Sequence, residues 1–259
     1  MTTPVISLRG ISKRFGAVQA LADVNMEVGP GEVVALVGDN GAGKSTLVKA
    51  IAGVQPADDG TLEFEGTPVH IHTPSQATQL GIATVYQDLA LCDNLDVVAN
   101  LYLGRETNRS GWLTEIEMER RAADLLKQLA VRIPSVRTKA ASLSGGQRQS
   151  IAIARSLLGE PKLVLLDEPT AALGVAQTAQ VLDLVRRLRE RGLGVIIISH
   201  NLADVFAVTD RVEVLRLGRN GGSFKVSDST PEQVVAAITG ADLQLGLNGG
   251  GAKAEGSTS

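Results

Sequence analysis

The stretch Gly38-Asp39-Asn40-Gly41-Ala42-Gly43-Lys44-Ser45 decides the fold, together with Val33-Val34-Ala35-Leu36-Val37 before it and Thr46-Leu47-Val48-Lys49-Ala50-Ile51-Ala52 after it. The leading run is apolar and β-branched, the composition of a strand buried on both faces of a parallel sheet. Glycines at 38, 41 and 43 let the backbone turn tightly, so that successive N–H groups between Asp39 and Gly43 face one anion. The trailing run has helical character, and the N-terminus of that helix adds its own positive end beneath the anion. The eight residues fit the pattern G-x-x-x-x-G-K-[ST], a cradle for a nucleoside triphosphate. In such a cradle Lys44 reaches the β- and γ-phosphates and the Ser45 hydroxyl ligates Mg²⁺. The alternative is a glycine-rich turn that binds nothing; the full pattern between a strand and a helix weighs against it.

On either side of this loop the pattern changes twice. Val5-Ile6-Ser7-Leu8-Arg9, Leu21 to Val28 and Thr61 to Phe64 read as strands, with turn residues at Gly29-Pro30-Gly31, Asp58-Asp59-Gly60 and Glu65-Gly66-Thr67-Pro68. Residues 1–70 thus predict an antiparallel β layer around the first parallel strand and its helix. From about Leu89 to Lys139 the spacing becomes helical. In Glu115 to Ala130 the apolar positions Ile116, Met118, Ala122, Leu125, Leu126 and Leu129 recur at three- and four-residue intervals. Downstream, helices over Ser144–Leu158, Val175–Arg191 and Leu202–Val208 alternate with strands over Leu163–Leu166, Val195–Ser199 and Val212–Leu217, which predicts a mainly parallel α/β sheet. The expected organisation is one domain, 1–245: a nucleotide-binding core (1–87 and 159–245), a helical subdomain (about 88–158), and a polar tail (246–259) with too little apolar surface to fold.

Composition bounds the function. A net charge of −3 leaves no electrostatic footprint for nucleic acid, and no nucleic-acid partner is expected. The longest apolar runs are strand-length, far short of a membrane span. Residues 1–9 lack the basic-apolar-small order of a signal peptide. The one cysteine, Cys92, has no second cysteine to pair with and fits a reducing compartment.

Two further positions carry chemistry. Leu163-Val164-Leu165-Leu166-Asp167-Glu168 is an apolar strand ending in two carboxylates. Asp167 is placed to hold Mg²⁺, directly or through water, and Glu168 to orient the attacking water or accept its proton. His200 also follows a buried strand, at the end where open parallel sheets bind ligands. Taken alone it would be a loop histidine with no task. Gln87 closes Ala83-Thr84-Val85-Tyr86-Gln87, at the junction with the helical segment, where a residue can sense the γ-phosphate. His70 and His72 have no metal-ligand companions and read as surface residues.

Phosphate loop, Gln87, Leu143-Ser144-Gly145-Gly146-Gln147, Asp167-Glu168 and His200, in this order, resemble one family: the ATP-binding subunits of ABC transporters. The resemblance runs from about Ile6 to Gly240. It implies that Phe15 stacks on adenine, and that Ser45, Asp167 and Gln87 surround Mg²⁺. It also implies that residues 38–46, ending in Thr46, hold ATP, and that two chains sandwich two ATP molecules. Ser144, Gly145, Gly146 and Gln147 of one chain then cap the phosphate held by the other. Val85 to Leu91 and Asp167 to Gly174 are similar to the simple-sugar (ribose, xylose, fructose) importers. That similarity implies a homodimer beneath integral-membrane permease subunits, at the cytoplasmic face of the membrane, served indirectly by an extracytoplasmic sugar-binding protein. Gly174 stands where many of the family have Asp. Export, uptake of another solute, or an ABC-type ATPase acting on nucleic acid or ribosomes are the alternatives.

Overall fold

The computed structural model describes residues 2–241 apart from 107, 110 and 111, and the backbone alone at 108–109 and 112–113. Two long strands open the chain, β1 (Ile6–Phe15) and β2 (Val18–Val28), followed by β3 (Val33–Val37) and helix α1 (Lys44–Ile51). A hairpin of β4 (Asp59–Phe64) and β5 (Thr67–Val69) precedes α2 (Pro74–Leu80) and β6 (Ile82–Val85). Next come α3 (Val97–Tyr102), a short pair β7 (Asn108–Arg109) and β8 (Trp112–Leu113), α4 (Glu115–Gln128) and α5 (Gly145–Leu157). The described chain ends with β9 (Leu163–Asp167), α6 (Val175–Glu190), β10 (Gly194–Ile198), α7 (Leu202–Val208), β11 (Arg211–Arg216), β12 (Arg219–Lys225) and α8 (Pro231–Thr239).

One sheet is antiparallel, in the order β2-β1-β4-β5; the other runs β12-β11-β3-β10-β9-β6. Its members from β11 to β6 pair in parallel, and β12 closes one edge antiparallel to β11. Every residue of β3 and β10 is buried, as central parallel strands require. Strand alternation then divides the core between the two faces. Val34, Leu36, Leu163, Leu165, Ile196 and Ile198 point toward α1 and the antiparallel layer. Val164, Leu166, Val195 and Ile197 point toward the helices of 97–188, while Ala35, Val37, Val212 and Val214 meet α7 and α8. At roughly 1.5–3 kcal/mol for each fully buried Val, Leu or Ile, these rows make the strand register unambiguous.

The structure departs from the sequence expectation in four places. Among the described residues of 89–139 only those of α3 and α4 are α-helical, and β7–β8 form an unexpected antiparallel pair. Of the apolar stripe on α4, Met118, Ala122, Leu126 and Leu129 are buried and Leu125 is half-buried, but Ile116 is 86% exposed. Its position, two residues into the first turn of α4, carries it past the buried face. The last parallel strand stops at Arg216, because Leu217 turns into the left-handed region (φ 49°) to start β12, which the alternation did not predict. Helices α2 and α8 were not expected either. The tail 246–259 lies outside the described residues.

Candidate functional site

Neighbouring strands β3, β10 and β9 run parallel and end side by side. Each end delivers one part of the site, as the C-terminal edge of an open parallel sheet does.

From β3 the chain enters Gly38–Ser45, and α1 begins at Lys44 with Gly43 as its left-handed N-cap (φ 105°). Leu47 donates the first helical bond to Gly43 O at 2.9 Å. The Lys44 ammonium donates to the carbonyls of Gly38 (2.6 Å) and Asp39 (2.9 Å), closing the loop on itself. Burial pulls this ammonium below the ordinary lysine value, while Glu168, Asp39 and Asp167 pull the other way. Asp39, Asn40, Gly41 and Ser45 are exposed, Thr46 is half-buried and Ala42 is buried.

From β9 come Asp167 and Glu168. Burial, and then the neighbouring Glu168 charge, raise the Asp167 carboxyl above the usual aspartate range, against Lys49 and Lys44. The Glu168 N–H still pairs with Ile198 O of β10 (3.0 Å), after which its backbone turns left-handed (φ 48°). A non-glycine residue there costs of order 1–3 kcal/mol and is typical of working sites. That turn brings Glu168 Oε1 to 2.9 Å from His200 Nδ1, beyond the end of β10. Glu168 is 18% exposed and His200 75%, so the acid is sheltered and its partner faces solvent. Thr170 donates to Asp204 Oδ2 on α7 at 2.7 Å, fastening the loop after Glu168 to the helix after His200.

Gln87 is exposed, two residues past β6. The adjacent Tyr86 phenol is raised first by burial and then by the Asp167 charge, so this loop lies within electrostatic reach of the acidic strand end. Phe15 ends β1 with 43% of its surface exposed, which excludes a core role. The Lys13 ammonium stands 5.7 Å from its ring centroid.

Ser144 caps α5: its hydroxyl accepts from Gln147 N (3.3 Å), and Gln147 Oε1 accepts from Ser144 N (3.0 Å). The other end of the Gln147 amide donates to Arg132 O at 2.9 Å, so this side chain serves its own chain. Ser144 and Gly145 are exposed, and Gly146 is buried where a Cβ would lie 2.9 Å from Gln177 on α6. Gly174 is the N-cap of α6 without a side-chain bond, and a Cβ there would meet open space.

Residues not anticipated from the sequence bind this helix to the Gln87 loop. Arg155 donates to Leu89 O (2.6 Å) and Ala90 O (2.8 Å), and Arg148, two turns earlier on α5, pairs with Asp93 (2.5 Å). Asn100, fully buried, accepts from Cys92 N and donates to the carbonyls of Cys92, Leu95 and Asp96. An asparagine inside Val97-Val98-Ala99-Asn100-Leu101-Tyr102 was the available signal. Cys92 is half-buried, and His70 and His72 are exposed with stacked rings 6.3 Å apart.

Mg²⁺ suits the donors present. Among the described residues no three His, Cys, Asp or Glu side chains gather into a cage of their own. The Ser45 hydroxyl and the Asp167 carboxylate are hard oxygens, and Mg²⁺ typically combines one or two carboxylates with phosphates and retained waters.

A strand–phosphate-loop–helix unit facing an acidic strand end defines a nucleoside-triphosphate-binding protein of the α/β class. The chain belongs to the ABC transporter family, whose sequence profile, described as "ABC transporter", matches residues 21–171. It is similar to the "Xylose/arabinose import ATP-binding protein XylG" of Sulfolobus acidocaldarius, 45% identical over 91% of this chain and 94% of that protein. Similarity to the "Fructose import ATP-binding protein FrcA" of Rhizobium meliloti is 42% over 92% and 95% of the two chains. Among solved structures, the ATP-binding cassette MJ0796, described as a dimeric post-hydrolysis state bound to ADP and Pi, superposes with a TM-score of 0.71. It is 26% identical over 85% of this chain and 98% of that one.

Proposed function

We propose that this chain is the ATPase subunit of a simple-sugar importer, working as a homodimer on the cytoplasmic face of the membrane beneath separate permease subunits. The observation that carries the reading is Glu168, turned out of β9 and hydrogen-bonded to His200, beside a phosphate loop on the same sheet edge. The two sugar-import relatives support the solute class, and the ADP-bound dimeric cassette supports the paired arrangement.

In this reading the N–H groups of residues 39–46 and the Lys44 ammonium hold the β- and γ-phosphates, with Phe15 against the adenine. Ser45 and Asp167, with Gln87 nearby, would hold Mg²⁺, which when bound would supply positive charge against the phosphates. Glu168 accepts a hydrogen bond from the attacking water and aligns it with the γ-phosphorus, while His200 keeps the carboxylate aimed. Ser144 and the N-terminus of α5 offer N–H donors to the γ-phosphate held by the other chain. The proposed division is a single domain over 1–245, with about 88–158 as its helical subdomain carrying the Leu143–Gln147 motif.

A strain lacking this chain, assayed for uptake of labelled xylose, arabinose, ribose and fructose, tests the proposal. Uptake of at least one sugar should fall, returning with the wild-type chain and not with Glu168→Gln. Undiminished uptake of all four would remove the simple-sugar assignment. Purified protein unable to release phosphate from Mg²⁺–ATP would remove the ATPase reading itself.

A further inference from the structure

The end of β11 and the turn that follows it, Leu215-Arg216-Leu217-Gly218, lie far from the phosphate loop in sequence and against it in space. Gly218 N donates to Ala42 O inside the loop at 3.0 Å, and Gly218 O accepts from Ala22 N of β2 at 2.7 Å. One residue thereby ties the loop to the strand that pairs with Phe15 through Val18. Contact extends along the loop. A Cβ on Gly38 would collide with the Leu215 carbonyl oxygen, and one on Gly43 would lie 2.7 Å from Ala20 O and 3.6 Å from Gly218 Cα. On Gly218 itself, with φ +75°, a Cβ would lie 2.7 Å from Ala20 O and 3.1 Å from its carbonyl carbon. These neighbours are backbone atoms, which cannot swing aside.

The hairpin is anchored in turn. Asn220 Oδ1 accepts from Asn25 N, and Asn220 Nδ2 donates to Asn25 O, both at 2.8 Å, fastening β12 to β2. The loop is therefore gripped at Gly38 by Leu215 and at Ala42 and Gly43 by Gly218, on a turn held in place by β2.

We propose that Gly218 is a positioning residue for the triphosphate: its turn sets the height of the phosphate loop and the aim of its N–H groups. The inference rests on the reading of 38–46 as the phosphate cradle. It adds a residue about 180 positions away that governs how well the cradle grips. Displacing a loop by around 1 Å from outside a site can cost up to roughly a hundredfold.

Gly218→Ala tests it in the purified chain, with ATP and inorganic pyrophosphate as probes; pyrophosphate reads the cradle without the adenine pocket. Expected are rises of roughly tenfold or more in KM for ATP and in Kd for pyrophosphate, with kcat at saturating ATP within about threefold, the pattern of lost uniform binding. Gly192→Ala is the control, since that glycine has φ +81° but nothing near its Cβ. It should lower Tm through the shared positive φ, though by less, and leave both affinities within about twofold. A folded Gly218→Ala protein that binds both probes as tightly as wild type overturns the inference. Should Gly218→Ala fail to fold, Asn220→Ala decides. A rise in both constants sustains the role of the turn, and unchanged constants remove it. Wild-type protein binding neither probe would take down the phosphate-cradle reading as well, a failure distinct from the one specific to Gly218.

Discussion

In the proposed role Glu168 depends on its backbone as much as on its carboxylate. The left-handed turn at the end of β9 releases it from the sheet after its N–H has made the last pairing with Ile198, and His200 then fixes the side chain. Their contact appears only in the structure; the sequence displays the acidic pair and the histidine separately, each at a strand's end. It does not display the positive φ, since nothing in Leu166-Asp167-Glu168-Pro169 requires one. Glu168→Gln preserves size and an oxygen to face His200 but removes the carboxylate proposed as the base. Turnover should fall by roughly 10²–10⁴ while ATP still binds, read as phosphate release against a nucleotide titration. A near-native rate would show that another group handles the water. The adenine contact of Phe15 rests on resemblance; the structure adds that 43% of its surface is exposed and that the Lys13 ammonium stands over the ring. Gln147 shows the limit of motif reading, because its amide is committed to the Ser144 cap and to Arg132.

At the scale of elements, the central parallel strands were legible wherever four or five apolar residues ran together, because buried parallel strands need no polar alternation. Helices α2 and α8 left a clear signal that went unread: Thr73-Pro74 and Thr230-Pro231, each a capping threonine followed by proline, with Gln76 and Gln233 three residues after the caps. Between Gln87 and Ser144 helix α4 was legible from its apolar spacing, but the loop of residues 88–96 was not, for a physical reason. Its order comes from long-range polar contacts, Arg148 to Asp93, Arg155 to the carbonyls of 89 and 90, and Asn100 to residues 92–96, and such contacts have no periodicity. Asn100→Ala should therefore destabilise the protein by at least about 2 kcal/mol, since it leaves several buried backbone groups without partners. Urea denaturation should show a lower midpoint with an unchanged slope. Asn100→Asp, of the same size but unable to donate to three carbonyls, should be no better. A loss under 0.5 kcal/mol, about the scatter of ordinary surface substitutions, would mean that water replaces the side chain and that the loop does not depend on it.

At the scale of the whole molecule, the order of the strands matters most. The phosphate loop leaves β3, near the middle of the sheet, while α5 packs beside β6 at its edge. With neighbouring strands about 4.8 Å apart, that separation is roughly 14 Å across the sheet. In the proposed composite site, hydrolysis per chain should rise with protein concentration and level off once pairs form. The Glu168→Gln protein should run as a dimer in size-exclusion chromatography with ATP and as a monomer without it. A chain held monomeric, yet hydrolysing at the rate of the concentrated sample, would end the shared-site account.

The strand order has an arithmetic consequence. Because β3 and the cap of α5 stand apart in one molecule, the proposed composite site would not confine damage in either to the molecule that carries it. Take two inactive preparations, Lys44→Ala and Ser144→Arg, and mix them in equal amounts. In each mixed pair, one cleft joins both lesions and the other joins two undamaged halves. Neither parent offers an undamaged cleft, so the blend should recover activity, about one working cleft in every four. Revival of two dead samples by mere mixing is something a self-contained enzyme could not do.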